Sequence, residues 1–238
     1  MDQLLAKPNV SLLDHLLEVL ERGEWFARRL GLAGRARSAA LLACAFHDVG
    51  KATKSFQQRV RGRRGRTGPP HALASLPFVL IAERMLNDRL GCSLHSLPAT
   101  AAVVSHHTPL HPFLYRDGGQ AQYELDALEA IVHELYRALA ERGVPLRFSQ
   151  SDWKQAVELT RVPLEYLLHR PLQNGMSLAA LFRILPPRLF ASVKTVLHLA
   201  DWTASAADTV SPAFFLQQGL LAEKVLTRHR QRLRQFQQ

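Results

Sequence analysis

An all-α fold, compact and single-domain, is what this sequence predicts, and three observations predict it. Apolar residues recur with a helical period along most of the chain, beginning with Leu12, Leu13, Leu16, Leu17, Val19, Leu20, Trp25, Phe26 and Leu30. No segment shows the convincing apolar/polar alternation of a half-buried strand. The 238 residues are 47% hydrophobic and 21% charged, near the globular average, which argues against wholesale disorder, collagen-like repetition and coiled-coil composition.

The elements follow in order. Ser11 stands as an N-cap before the first helix, which Gly31 and Gly34 end. A second helix runs from about Arg35 into His47-Asp48 and stops near Gly50, and Ala52 to Val60 forms a short third. Arg59 to Pro70 holds five Arg and three Gly in twelve residues and reads as a mobile basic loop. Further helices are expected over 72–90, 97–107, 122–142, 151–169, 177–185, 188–208 and 212–236, separated by Gly- and Pro-containing breaks. The chain shows no internal repeat and no linker between two cores. Residues 1–210 are expected to form the functional domain, and 211–238 a basic, Gln-rich C-terminal helix.

Thirty Lys and Arg against twenty Asp and Glu leave a net charge of +10, which favours a polyanionic partner, nucleic acid first. No apolar run reaches the roughly 18 residues of a membrane span. The acidic Met1-Asp2 start is unlike a signal peptide. With only Cys44 and Cys92, and Cys44 in an apolar stretch, a reducing cytoplasm is the expected compartment.

The chemistry-bearing residues begin with Phe46-His47-Asp48-Val49-Gly50-Lys51. Here a ligand-type pair ends an apolar helix, and Gly50 frees the backbone so that both side chains can reach one ion. His106 and His107 are adjacent at the end of an apolar segment. Paired imidazoles there favour metal ligation over packing, because each ring must satisfy two nitrogens. His15 and His71, taken singly, have the ordinary reading of satisfied core or surface histidines. Asp201 interrupts an apolar helix and, if buried, needs a partner, which a metal, an Arg or a helix cap would each supply.

Together these residues resemble the HD superfamily of metal-dependent phosphohydrolases. The similarity is closer to the HD nuclease domain of the type I CRISPR-associated helicase-nuclease, carried by Ala45-Phe-His-Asp-Val-Gly-Lys-Ala-Thr-Lys-Ser-Phe-Gln57, His71 with Ser75, Ser105-His-His107 and Ala200-Asp-Trp-Thr-Ala-Ser205. Leu5-Ala-Lys7 before Leu12-Leu-Asp-His15 fits the same branch, and the likeness spans about residues 4–208. The resemblance implies an HD-superfamily fold in which His15, His47, Asp48 and Asp201 hold one transition metal and His71, His106 and His107 a second, with Asp48 bridging. Imidazole with carboxylate suits manganese, iron, cobalt or nickel better than magnesium, and zinc more often prefers four-coordinate sites. It further implies metal-assisted hydrolysis of single-stranded DNA in CRISPR interference. The implied partners are a helicase domain or subunit and an RNA-guided surveillance complex.

The remaining assignments are finer. Asp48 and Lys51 are the catalytic candidates, Lys51 either pairing with a phosphate oxygen or serving as a helix-terminal cation. Ser75 and Ser205, each one turn beyond a ligand candidate, are placed to hydrogen-bond behind it. Arg59, Arg61, Arg63, Arg64 and Arg66 are DNA-binding candidates, as a strand guide near the site mouth or as a solvated loop. Phe56 and Trp202 are expected to pack in the core rather than stack on bases, and no ligand role is assigned to His95, His111, His133, His169, His198 or His229. Gly50-Lys51 lacks the upstream Gly of a phosphate-binding loop, so the chain carries no helicase engine. It is expected to be a stand-alone subunit or, by its Gln-rich end, a piece of a longer protein. Two other readings remain: an HD phosphohydrolase of nucleotides or cyclic dinucleotides, and a non-catalytic, metal-stabilised nucleic-acid-binding module.

Overall fold

The computed structural model describes residues 3–63, 68–93, 96–107, 120–171 and 175–206. Within them the chain is helical, as expected, apart from a small antiparallel hairpin of β1 (Leu5–Lys7) and β2 (Val10–Ser11). That hairpin departs from the expectation of no strands. Its strands are too short for alternation to register, and its turn rests on Asn9 at φ 63, a left-handed position that Asn tolerates.

Helices α1 (Leu12–Arg29), α2 (Gly34–Phe46), α3 (Lys54–Val60), α4 (His71–Ala74), α5 (Leu76–Arg89) and α6 (Pro98–Val104) follow. After them come α7 (Leu125–Glu141), α8 (Gln150–Thr160), α9 (Leu164–His169), α10 (Leu178–Arg183) and α11 (Pro187–Ala206). The Ser11 hydroxyl accepts the Asp14 amide at 3.4 Å, so the expected N-cap is in place. The buried stripe of α1, Leu12, His15, Leu16, Val19, Leu20, Gly23, Phe26 and Ala27, follows the helical period and carries His15 inward.

Helix α2 is the centre of the molecule. Every residue from Ser38 to Phe46 is buried, because α1, α5, α6, α7 and α11 all pack on it. A Cβ on Gly23 would stand 2.5 Å from the Cys44 sulfur, so a residue without a side chain is what lets α1 come this close to α2. The central helix delivers His47 at its C-terminus, while α1, α6 and α11 bring their own polar residues to the same end.

Several expected helices are shorter or divided. The 72–90 segment breaks at Ser75, where Pro77 has no N–H to continue the ladder, giving α4 and α5. The 151–169 segment breaks before Pro163, which disfavours helical backbone in the residue before it. Val49–Ala52 is a 3-10 turn rather than the start of the third helix. The 97–107 segment ends at Val104, and residues 120–124 precede α7 as non-helical chain. The 212–236 helix, and with it the 211–238 unit, lies outside the described residues, as do Arg64, Arg66, His95, His111 and His229. No helix among the described residues is long and apolar enough to cross a membrane.

Candidate metal centre

The centre is built where α2 stops. His47 still has helical backbone angles, but Asp48 turns to φ −112, ψ 9 and starts the 3-10 turn, whose first bond runs from the Lys51 amide to the Asp48 carbonyl at 2.8 Å. This change of backbone brings neighbouring side chains, which a continuous helix would set about 100° apart, onto one pocket.

Asp48 is 2% exposed and divides its two oxygens between two sets of imidazoles. Oδ2 lies 3.2 Å from His15 Nε2 and 3.3 Å from His47 Nε2, and Asp201 Oδ1 stands 3.5 Å from the same His47 atom and 3.8 Å from His15. Oδ1 lies 3.1 Å from His71 Nε2 and 3.6 Å from His106 Nε2, while His107 Nε2 is 2.9 Å from His71 Nε2. His15, His47, Asp48 and Asp201 therefore form one group able to hold a metal and Asp48, His71, His106 and His107 another, the ligand atoms of each group all within 4.8 Å of one another. All seven residues singled out as ligand candidates are brought together.

The hydrogen bonding around the pocket leaves ligand atoms free. His47 Nδ1 donates to the Cys44 carbonyl at 2.9 Å and His106 Nδ1 to the Val103 carbonyl at 2.6 Å, which fixes the proton on Nδ1 and turns a lone pair at Nε2 inward. His47 Nε2, Asp48 Oδ1 and His106 Nε2 are buried with no hydrogen-bond partner. Three orphaned polar atoms in one pocket are costly unless a cation takes them up, so the donor set fits a pair of divalent ions.

The charges agree with that fit. Burial would push Asp48 up, but His47 and Lys51, with His106 and His15, outweigh it and hold the carboxyl well below its ordinary range. Burial opposes a charged His47, yet Asp48 and Asp201 outweigh it and lift the ring to about 10, so without an ion the two carboxylates draw a proton onto this ring that a bound metal would displace. Burial, then the neighbouring His106 and His71, push His107 down to about 4, which leaves it the neutral imidazole a metal requires.

The family model described as Cas3, HD domain, matches residues 10–210. The chain belongs to the Cas3 HD-domain family. No curated protein matches it. As a Cas3-type HD domain it is a hydrolase of the HD superfamily, a metal-dependent nuclease of CRISPR systems.

The rest of this HD domain explains why the ligands stay in place. The Ser75 hydroxyl accepts the Gly50 amide at 2.8 Å and lies 2.8 Å from the His47 carbonyl and 3.0 Å from that of His71, stitching the turn after α2 to α4. A Cβ on Gly50 would meet the His71 carbonyl oxygen at 2.1 Å, so only glycine permits this approach. Ser205 donates to Asp201 Oδ1 at 3.2 Å, behind the other group.

Three supporting residues lie beyond what the sequence reading assigned. Buried Gln57 accepts the Leu5 amide and donates to the Leu5 and Lys51 carbonyls, clamping the hairpin to the Lys51 turn. It stood in the motif that carried the resemblance, without a role. Glu83 on α5 accepts the Ala99 and Thr100 amides at 2.8 and 2.6 Å, taking over the cap of α6, the helix that leads to His106 and His107. His198 on α11 lies beside His106 and its backbone.

At the pocket edge Lys51 Nζ pairs with Asp48 Oδ2 at 2.6 Å and stands 5.6 Å from the Phe56 ring centre. Arg59 lies on the same ring at 5.5 Å, and Phe56 itself meets His71 edge-on at 5.9 Å. Phe56 is thus half-buried beside the ligands rather than within the core. Trp202 corrects the expectation of core packing more clearly, being 46% exposed: one residue past Asp201, it is turned about 100° from it around α11. Arg61 donates to the Gln3 carbonyl at 2.7 Å and, with Arg63, lines an open groove of about 560 Å³ with Lys54, Gln58 and Asp126. Of the five arginines, Arg59 is the one described beside the ligand pocket.

Proposed function

We propose that this chain hydrolyses phosphodiester bonds of single-stranded DNA in type I CRISPR interference. The observation that carries the reading is Asp48, whose two oxygens each face a different ligand group. His15, His47, Asp48 and Asp201, and Asp48 with His71, His106 and His107, would hold divalent transition ions, manganese, iron, cobalt or nickel, which would supply Lewis acidity and acidify the attacking water for in-line hydrolysis.

The chain's own residues do the rest. His47 and His106, each anchored through Nδ1, hold their Nε2 lone pairs toward the pocket, and Asp201 adds the second carboxylate. Lys51, paired with Asp48, is the nearest cation to the ligands among the described residues and in this reading turns to a phosphate oxygen of the strand. Arg59 over Phe56 extends positive charge outward, and the net charge of +10 suits a polymer substrate better than a mononucleotide. Most of the ligands are buried, and a flexible single strand can bend a phosphate in to them more easily than a stiff duplex, so a helicase, in the same chain or separate, would deliver it, recruited by an RNA-guided surveillance complex. The free cysteines Cys44 and Cys92 suit a reducing cytoplasm as the place of action.

The test is manganese-dependent cleavage of labelled single-stranded DNA, set beside duplex DNA, nucleoside triphosphates and cyclic dinucleotides. Cleavage of the single strand, lost on Asp48→Ala, is expected. Release from nucleotides alone would favour the nucleotide phosphohydrolase. Strand binding without turnover, unchanged by Asp48→Ala, would make the chain a binding module.

A further inference from the structure

The α3 side of the metal pocket has Lys51 and Arg59, and α11, which brings Asp201, has a cation of its own. Phe190, Lys194, His198, Asp201 and Ser205 recur every three or four residues and so share one side of this helix. Asp201 is the only acid in α11 and belongs to the ligand set, so the remaining charge on that side is positive. Lys194 stands with its ammonium 5.7 Å from the centre of the Phe190 ring, which braces it, and no carboxylate pairs with it among the described residues. His198, between Lys194 and Asp201, lies beside His106, which puts this side of α11 next to the ligand pocket.

Seven residues of helix separate Lys194 from Asp201, about 10 Å along the axis. A strand whose scissile phosphate sits at the ligands brings its following phosphates within that reach. We propose that Lys194 holds a phosphate of the DNA strand on the α11 side of the pocket, so that the strand is gripped on both sides of the cut. The proposal rests on the nuclease reading. The strand runs from Arg59 and Lys51 across the ligands to Lys194, with His198 as a positioning residue between.

The experiment measures binding and cleavage separately. Binding of a labelled oligodeoxythymidylate to the metal-free chain is followed by fluorescence anisotropy across a salt series, for the wild type, Lys194→Ala and Lys194→Arg. Loss of one phosphate contact should weaken binding about fivefold at low salt and make the logarithmic salt slope shallower by about 0.7. Arginine should restore both, which a merely structural role would not produce. In cleavage with manganese, Lys194→Ala should raise KM more for the oligonucleotide than for a thymidine dinucleotide, which is too short to reach both Lys194 and the ligands. An unchanged salt slope, or a KM rise independent of length, overturns the α11 contact. A wild-type chain that binds the strand through Lys194 but never cuts it overturns the nuclease reading and leaves the contact standing.

Discussion

Asp48 and Glu83 are both buried carboxylates, 2% and 1% exposed, and in both the two oxygens face different partners. They differ in what those partners are. Asp48 faces His15, His47 and Lys51 through one oxygen and His71 and His106 through the other, and these groups hold it ionised. Glu83 faces two main-chain amides at the start of α6, with Arg35 as the charged contributor to its field, and burial outweighs them, lifting it from 4.5 to about 7. Burial alone thus does not mark a functional acid. The Asp48 pocket gathers lone pairs and a charge that ask for cations, whereas the Glu83 pocket gathers fixed dipoles that cap a helix.

Asp48→Asn breaks the comparison most severely. It keeps the shape and removes the charge that both ligand groups share, so metal analysis should find neither group filled as in the wild type, and DNA cleavage should fall about a thousandfold or more, some 4 kcal/mol of barrier. Two tightly held ions in that variant would mean that Asp48 does not bridge.

Glu83→Gln sharpens the other side. The folded chain holds the Glu83 proton more tightly than the unfolded chain, so that contribution is full below about 4.5 and is lost as pH rises through about 7. Ionised Glu83 therefore costs about 3 kcal/mol of stability above neutrality. Urea melts from pH 4.5 to 8 should show the wild type losing that stability relative to Glu83→Gln. Parallel curves would mean that Glu83 titrates like an exposed acid.

Ser75→Ala should have a smaller effect, because it leaves the Gly50 amide buried without its acceptor, a cost of about 1–3 kcal/mol. Metal affinity should fall with it, since the same hydroxyl joins the His47 and His71 segments. Unchanged stability and affinity would show that the stitch between α2 and α4 lies elsewhere.

How much of this was legible in the sequence differs by residue. His47, Asp48, His106 and His107 stood out locally, as ligand types adjacent to one another at the ends of apolar helices. His15, His71 and Asp201 were ordinary on local evidence and gained a role through the resemblance. Glu83 gave no signal, because it acts on main-chain amides of another helix and nothing in its own neighbourhood reports those partners, whereas His198 stood out only as one turn from Asp201 and was given no role. Trp202 was misread because its apolar neighbours lie on the buried side of α11 while it does not.

The overall helical class, the first helix with its cap, the positive charge and the kinds of atom available to a metal were already determined by the amino-acid order, since periodicity, capping and composition act over a few residues. The tertiary structure alone decided which oxygen of Asp48 meets which imidazoles, that Lys51 shares that carboxylate, and that Glu83 is an uncharged-leaning cap rather than a ligand. Those outcomes depend on desolvation and Coulomb interaction between groups such as His15 and Asp48, 33 residues apart in the chain and 3.2 Å apart in the fold.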